Sequence, residues 1–110
     1  MPIYISRGCY TADAVRGMMA KPEDREPSIA KVFKQLGGRL LSYYVTLGEY
    51  DWLIVAEFPN EKVASSGILV AMAGGSVTNV QTTVAMTSKE AMEAFSGAAE
   101  VAKSFKSAGK

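Results

Sequence analysis

Two Gly-Gly pairs do most to limit what this chain can fold into. Gly37-Gly38 and Gly74-Gly75 each stop a helical run, and each is followed almost at once by a run of strand formers. Ahead of the first pair, Ile29, Val32, Phe33 and Leu36 recur at i, i+3, i+4 and i+7 behind Pro27, a residue suited to a first helical turn. Ahead of the second, Asn60 can cap a helix over 61–73 whose apolar residues, from Val63 to Met72, wrap nearly all round it. A helix of that kind belongs either deep in a core or at a contact between copies, and the core is the expected place.

The remaining elements fill in around these two helices. Ile3 to Tyr10 reads as a strand, and Thr11 can cap a short helix carrying Ala14, Val15 and Met18. The charged stretch 21–26 reads as a loop or a turn of helix. Residues 39–46 and 51–58 predict two strands joined by a hairpin at Leu47-Gly48-Glu49-Tyr50, and the near-continuous run from Trp52 to Ala56 predicts burial on both faces. Residues 77–86 predict a long strand. Thr87 and Glu90 then have capping-box spacing before a helix with Met92, Phe95, Ala99, Ala102 and Phe105 on one face. The order defines an α+β, ferredoxin-like split βαβ-βαβ fold, with a four-stranded antiparallel sheet, helices on one face and an extra C-terminal helix. The expected organisation is a domain over 1–87, a helical extension over 88–106 and a disordered tail over 107–110.

Such a sheet leaves one face without helices. Tyr4, Tyr43, Tyr44, Trp52, Ile54, Thr82 and Val84 exceed what one helix-covered face can use, so an apolar open face is expected. Its expected partner is another copy of the chain, making a homo-oligomer. The competing expectation is that the C-terminal helix folds back over it, and a dimer with swapped C-terminal helices would satisfy both.

Composition narrows the chemistry. The 110 residues carry 12 basic and 11 acidic side chains, a net charge of +1 that gives no footprint for nucleic acid or a membrane surface. There is no histidine, which removes the commonest general base and metal ligand. Cys9 is the one cysteine, so no intrachain disulfide forms; it reads as a small hydrophobe at the end of the first strand. Ser6 has no histidine or nucleophile elbow to activate it, and the glycine pairs match no phosphate-binding pattern. No cofactor and no metal are expected. The first residues read as a strand, with no signal-peptide pattern and no long apolar span, so a cytoplasmic location is expected.

Leu47-Gly48-Glu49-Tyr50-Asp51, followed by an apolar strand and Glu57-Phe58-Pro59-Asn60, resembles the GYD-domain family of small bacterial proteins. Tyr4-Ile5-Ser6, Tyr10-Thr11, Leu36-Gly37-Gly38 and Asn79-Val80-Gln81-Thr82-Thr83 also fall in that family's order, so the resemblance covers about residues 2–90. It implies a ferredoxin-like domain without an established activity. Gln81 stands where the family commonly has a basic residue. The Gly-x-Tyr-Asp hairpin is also similar to one in the ligand-sensing domains of leucine-responsive regulators, which assemble through their sheets and bind amino acids at subunit interfaces. With no helix-turn-helix ahead of the sheet, that similarity implies a sensing role at most.

Two readings remain open for the polar residues at the hairpin. The carboxylates of Asp51 and Glu57 can cap backbone N–H groups or pair with Arg39, with Arg7 and Arg16 as further partners for Glu57. Alternatively Tyr4, Ser6, Tyr50, Asp51 and Glu57 line a cleft for a small ligand. The expected function is therefore small-ligand binding or assembly through the sheet face. A cofactor-independent enzyme of the dimeric α/β-barrel type, monooxygenase- or isomerase-like, is the first alternative. A shell or filament subunit is the second.

Overall fold

The computed structural model describes residues 1–109. Its elements follow in the order β1 (Ile3–Tyr10), α1 (Ala12–Ala20), α2 (Glu26–Gln35), β2 (Arg39–Val45), β3 (Trp52–Glu57), α3 (Glu61–Ala73), β4 (Val77–Ala85) and α4 (Ser88–Ala102). β1 lies between β3 and β4, and β2 completes the far edge, giving the antiparallel order β2-β3-β1-β4. This is the ferredoxin-like arrangement, with α4 as an addition. The tail expected over 107–110 lies partly outside the described residues.

The helix ends are set by the residues that mark them in the sequence. Thr11 Oγ1 accepts the Ala14 N–H and Asn60 Oδ1 accepts the Val63 N–H at 3.0 Å, each satisfying an orphan donor of a first turn. After α2 the chain reverses through Gly37 at φ 81°, and the Gly38 N–H returns to the Phe33 carbonyl at 2.9 Å. A β-bulge in the β1–β4 ladder places Asn79 at φ 54°, a left-handed conformation that asparagine tolerates better than most residues.

The core is small. Tyr4, Ala56, Phe58 and Ala64 are buried, with Phe33, Leu36, Ile54 and Val63 packed against them. Phe58 is its hub: its ring lies 5.0 Å from that of Phe33 on α2 and edge-on to Tyr4 at 6.1 Å.

Strand register corrects the expected allocation of faces. Tyr4 lies opposite Ala56 and Val84, Ser6 opposite Ile54 and Thr82, and Tyr43 opposite Ile54. Residues directly opposite share a face. Tyr4, Tyr43, Trp52, Ile54, Thr82 and Val84 therefore all point to the helix side, and Tyr44 alone of the seven points away. The open side is built from Ile3, Ile5, Arg7, Leu53, Val55, Glu57, Thr83 and Ala85 instead. β3 is not covered on both faces within one chain: Trp52 and Ala56 are buried, while Leu53 and Val55 on the open side are half-buried.

One helix also departs from expectation, and the competing position for another is not taken. α3 meets the sheet through small residues, burying Ala64 and Gly67 and leaving Leu69, Val70 and Met72 exposed, so it rides on the fold rather than inside it. α4 does not fold back over the open face. Every residue of it is exposed except half-buried Ala91, and Phe95 is 75% exposed. The molecule is consequently elongated, 61 × 31 × 21 Å, with a radius of gyration of 18.0 Å against the about 13 Å of a compact chain this long.

Candidate functional site

The aromatic residues gathered on the helix side form the floor of a cavity of about 720 Å³, within the size range of small-molecule sites. Tyr4 and Ser6 of β1, Tyr43 of β2, Trp52 and Ile54 of β3, and Val80 and Thr82 of β4 line it from the sheet. α1 contributes Ala14, Gly17 and Met18, α2 contributes Ile29, Val32 and Phe33, and α3 contributes Gly67, Ile68 and Ala71. Because α3 lies on the sheet through alanine and glycine, and α1 buries no residue, the helices leave this space between them.

Its polar groups are mostly hydroxyls. The Tyr10 and Tyr43 hydroxyls hydrogen-bond each other, and Ser6 Oγ lies 2.8 Å from Thr82 Oγ1. Burial and the Tyr43 hydroxyl push the Tyr10 phenol well above its ordinary range. Burial, with a contribution from Glu61, pushes Tyr4 upward too. Both rings are therefore hydroxyl donors or acceptors at neutral pH, not phenolates. The Trp52 indole N–H is buried and has no acceptor among the described residues. The charged lining residues are Asp13, Lys21, Glu23 and Arg25, all on α1 or the loop after it. Arg25 pairs there with Glu23 at 2.8 Å.

The five residues expected to line one cleft are divided between four places. Tyr4 and Ser6 line the cavity. Tyr50 lines a separate depression of about 210 Å³ at the β2–β3 hairpin, where the Arg7 guanidinium sits 5.3 Å from its ring centroid. Asp51 Oδ2 accepts the Tyr10 N–H at 2.9 Å, while its own N–H donates to the Gly8 carbonyl at 2.8 Å. Glu57 lies on the open side, 2.9 Å from Arg39 Nη2. The division follows from alternation: even-numbered residues of β1 face the helices, whereas Glu57 is an odd-numbered residue of β3, where Trp52, Ile54 and Ala56 face them. The hairpin motif thus ties the turn to the end of β1.

Tyr10, Tyr43, Trp52 and Thr82 join Tyr4 and Ser6 in the cavity wall, although the sequence pattern assigns Tyr43, Trp52 and Thr82 to the open face and Tyr10 to no cleft. One sequence signal for them is Gly8. It sits opposite Trp52, and a Cβ there would come within 2.6 Å of the indole, so the glycine makes room for the ring. Among the described residues, no group of three or more histidine, cysteine, aspartate or glutamate side chains converges as a metal site would require.

A ferredoxin-like α+β domain with an open cavity between sheet and helices is the class that fold and site define. The GYD domain profile matches residues 4–95, and the chain belongs to that family. No protein with a curated description matches it in sequence. Among solved structures, a transcriptional regulator from Neisseria meningitidis in complex with L-Met is similar, with a TM-score of 0.54 and 19% identity over 79% of this chain. The chain spans about half (51%) of that regulator's length. The protein FFRP-DM1 is similar with a TM-score of 0.48 and 18% identity, covering 78% of this chain and 100% of its own. An antibiotic biosynthesis monooxygenase has a TM-score of 0.45 and 8% identity, covering 79% of this chain and 98% of its own. At these identities the likeness to the regulator is one of fold. Among the described residues, no helix is long and apolar enough to cross a membrane.

Proposed function

We propose that this chain is a small-molecule-binding protein that works as a homo-oligomer, with the ligand held between sheet and helices and the open side of the sheet in contact with other copies. The observation that carries the reading is the cavity of about 720 Å³, floored by Tyr4, Ser6, Tyr43 and Trp52. Its separation from the open side lets one sheet bind a ligand and a partner at once. Self-association is supported by the open side itself, where Ile3, Ile5, Leu53 and Val55 form an apolar strip. It is supported also by α4, whose exposed Met92, Phe95 and Val101 have nothing to pack on in their own chain. An isolated helix of this length is marginal in water. Docked on another copy's sheet, α4 would cover both surfaces.

Binding is preferred to turnover because the cavity floor carries hydroxyls and no carboxylate, and the lining carboxylates Asp13 and Glu23 are engaged by Arg16 and Arg25. The regulator that shares the fold was solved with L-Met, which places amino acids among the first compounds to test. The experiment is a melting-shift screen of amino acids, organic acids and phenols, since a bound ligand raises apparent stability by mass action. The reading expects at least one class to raise Tm in the wild type and not in Gly17→Phe. A Cβ at Gly17 meets nothing within 4 Å, so the added ring has space on the cavity wall. An equal rise in the two proteins would move the site elsewhere.

A further inference from the structure

We infer that the cavity selects an uncharged, planar aromatic compound bearing hydroxyl or carbonyl groups, and that it discriminates against free amino acids and organic acids. The inference rests on the proposed binding role and specifies its ligand.

Three observations carry it. First, the lining is aromatic: half-buried Tyr10, Phe33 and Tyr43 line the cavity over the buried rings of Tyr4, Trp52 and Phe58. Flat rings of this kind favour offset or edge-on contact with another ring over contact with a flexible chain. Second, no carboxylate or cation lies on the floor. The four charged residues in the lining belong to α1 and the following loop; Arg25 is paired with Glu23 and Asp13 with Arg16, which leaves exposed Lys21 as the one lining charge without an ion-pair partner among the described residues. A ligand carboxylate or ammonium drawn onto the floor would lose its water without gaining a counter-charge, a cost that aromatic contacts do not offset.

Third, the polar groups that are present suit neutral partners. A hydroxyl both donates and accepts, so the Tyr10–Tyr43 and Ser6–Thr82 pairs can each open to engage a phenol or a carbonyl oxygen. The raised Tyr10 phenol keeps its proton and remains a donor. A volume of about 720 Å³ accommodates a compound of two or more fused rings.

The test uses one ring system with three charges: 1-naphthol, 1-naphthoate and 1-naphthylmethylamine, neutral, anionic and cationic at pH 7. Each is titrated calorimetrically into the whole chain. Naphthol should bind at least tenfold more tightly than either charged analogue. Gly17→Phe should weaken it at least tenfold, and Tyr43→Phe, which keeps the ring and removes one hydroxyl, severalfold. Naphthoate or the amine binding as tightly as naphthol would overturn the inference while leaving the binding role standing. So would an amino acid that raises Tm when naphthol does not bind. If no naphthalene binds and the melting-shift screen is blank as well, the binding role falls with it.

Discussion

Asp51 Oδ2 accepts the backbone N–H of Tyr10 at 2.9 Å, joining the end of the β2–β3 hairpin to the end of β1. The neighbouring Thr46 hydroxyl donates to the Tyr50 carbonyl at 2.7 Å, and the Thr46 N–H to the Asp51 carbonyl at 2.8 Å. The acidic residue of the hairpin motif is thus a structural staple whose partner is main chain. Asp51→Ala should cost about 2 kcal/mol in denaturant unfolding, the scale for a hydrogen bond to a charged group, and Asp51→Asn less. Neither should reduce the stabilisation that a cavity ligand brings. Loss of that stabilisation in a folded Asp51→Asn protein would return Asp51 to the binding site.

Two glycines make opposite predictions. A Cβ at Gly38 would lie 2.5 Å from the Glu57 carbonyl oxygen and 2.5 Å from the Phe58 ring, so Gly38→Ala forces backbone and core apart. It should cost about 1–3 kcal/mol, as overpacking does. Gly17 sits inside α1 with open space around it, so Gly17→Ala should stabilise by roughly 0.5–1 kcal/mol through the helix backbone alone. Chemical denaturation of the two variants checks both signs.

Much of the architecture was legible because its punctuation is chemical. Thr11, Asn60, the Gly37-Gly38 stop and the Thr87–Glu90 box each supply a specific donor, acceptor or backbone freedom, and the observed helices begin or end on them. The faces of the sheet were less legible. Alternation along one strand places Tyr4 with Ser6, but whether Tyr43, Trp52 and Thr82 join them depends on register between strands. The β1–β4 bulge and the irregularity after Leu40 help set that register. The motif residues drew attention to the hairpin, whereas the cavity lies between helices that bury little: α3 buries only Ala64 and Gly67, and α1 no residue. The position of α4 was not legible either, since its apolar stripe is equally consistent with packing on its own sheet or on another.

Stability should fall in alkali for a definable reason. The Tyr10 phenol is raised in the folded state, so the native protein keeps a proton that the unfolded chain gives up above the ordinary tyrosine range. The contribution is fully present at neutral pH and is lost as pH rises from that range toward the folded-state value. In Tyr10→Phe the alkaline decline should be shallower. Equal slopes of unfolding free energy against pH in the two proteins would remove Tyr10 from the account.

The α4 cap should respond to acid in the reverse sense. Glu90 accepts the Thr87 N–H at 2.9 Å, and its carboxyl is held below the usual range first by that bond and then by the Thr87 side chain. The stabilisation is present above the ordinary glutamate range and is lost as pH falls through the depressed value. Amide protection in the first turn of α4, taken relative to the intrinsic exchange rate at each pH, should therefore fall on acidification. Glu90→Gln, which keeps an acceptor for the Thr87 N–H, should show a protection that hardly changes with pH from this source; a wild-type profile in that variant would contradict the role of the carboxylate.

The assignment of the two sheet faces bears directly on mutagenesis. Trp52 and Tyr43 point to the helix side, so replacing them by glutamate perturbs cavity and core; the residues that probe assembly are Leu53 and Val55. Sedimentation velocity on the whole chain, beside Val55→Lys and a chain ending at Thr87, measures the central claim most directly. The account predicts a discrete oligomer for the wild type, with lower mass or weakened association in both variants while the fold is kept. A wild-type protein that sediments as a single monomeric species across the micromolar range would contradict it.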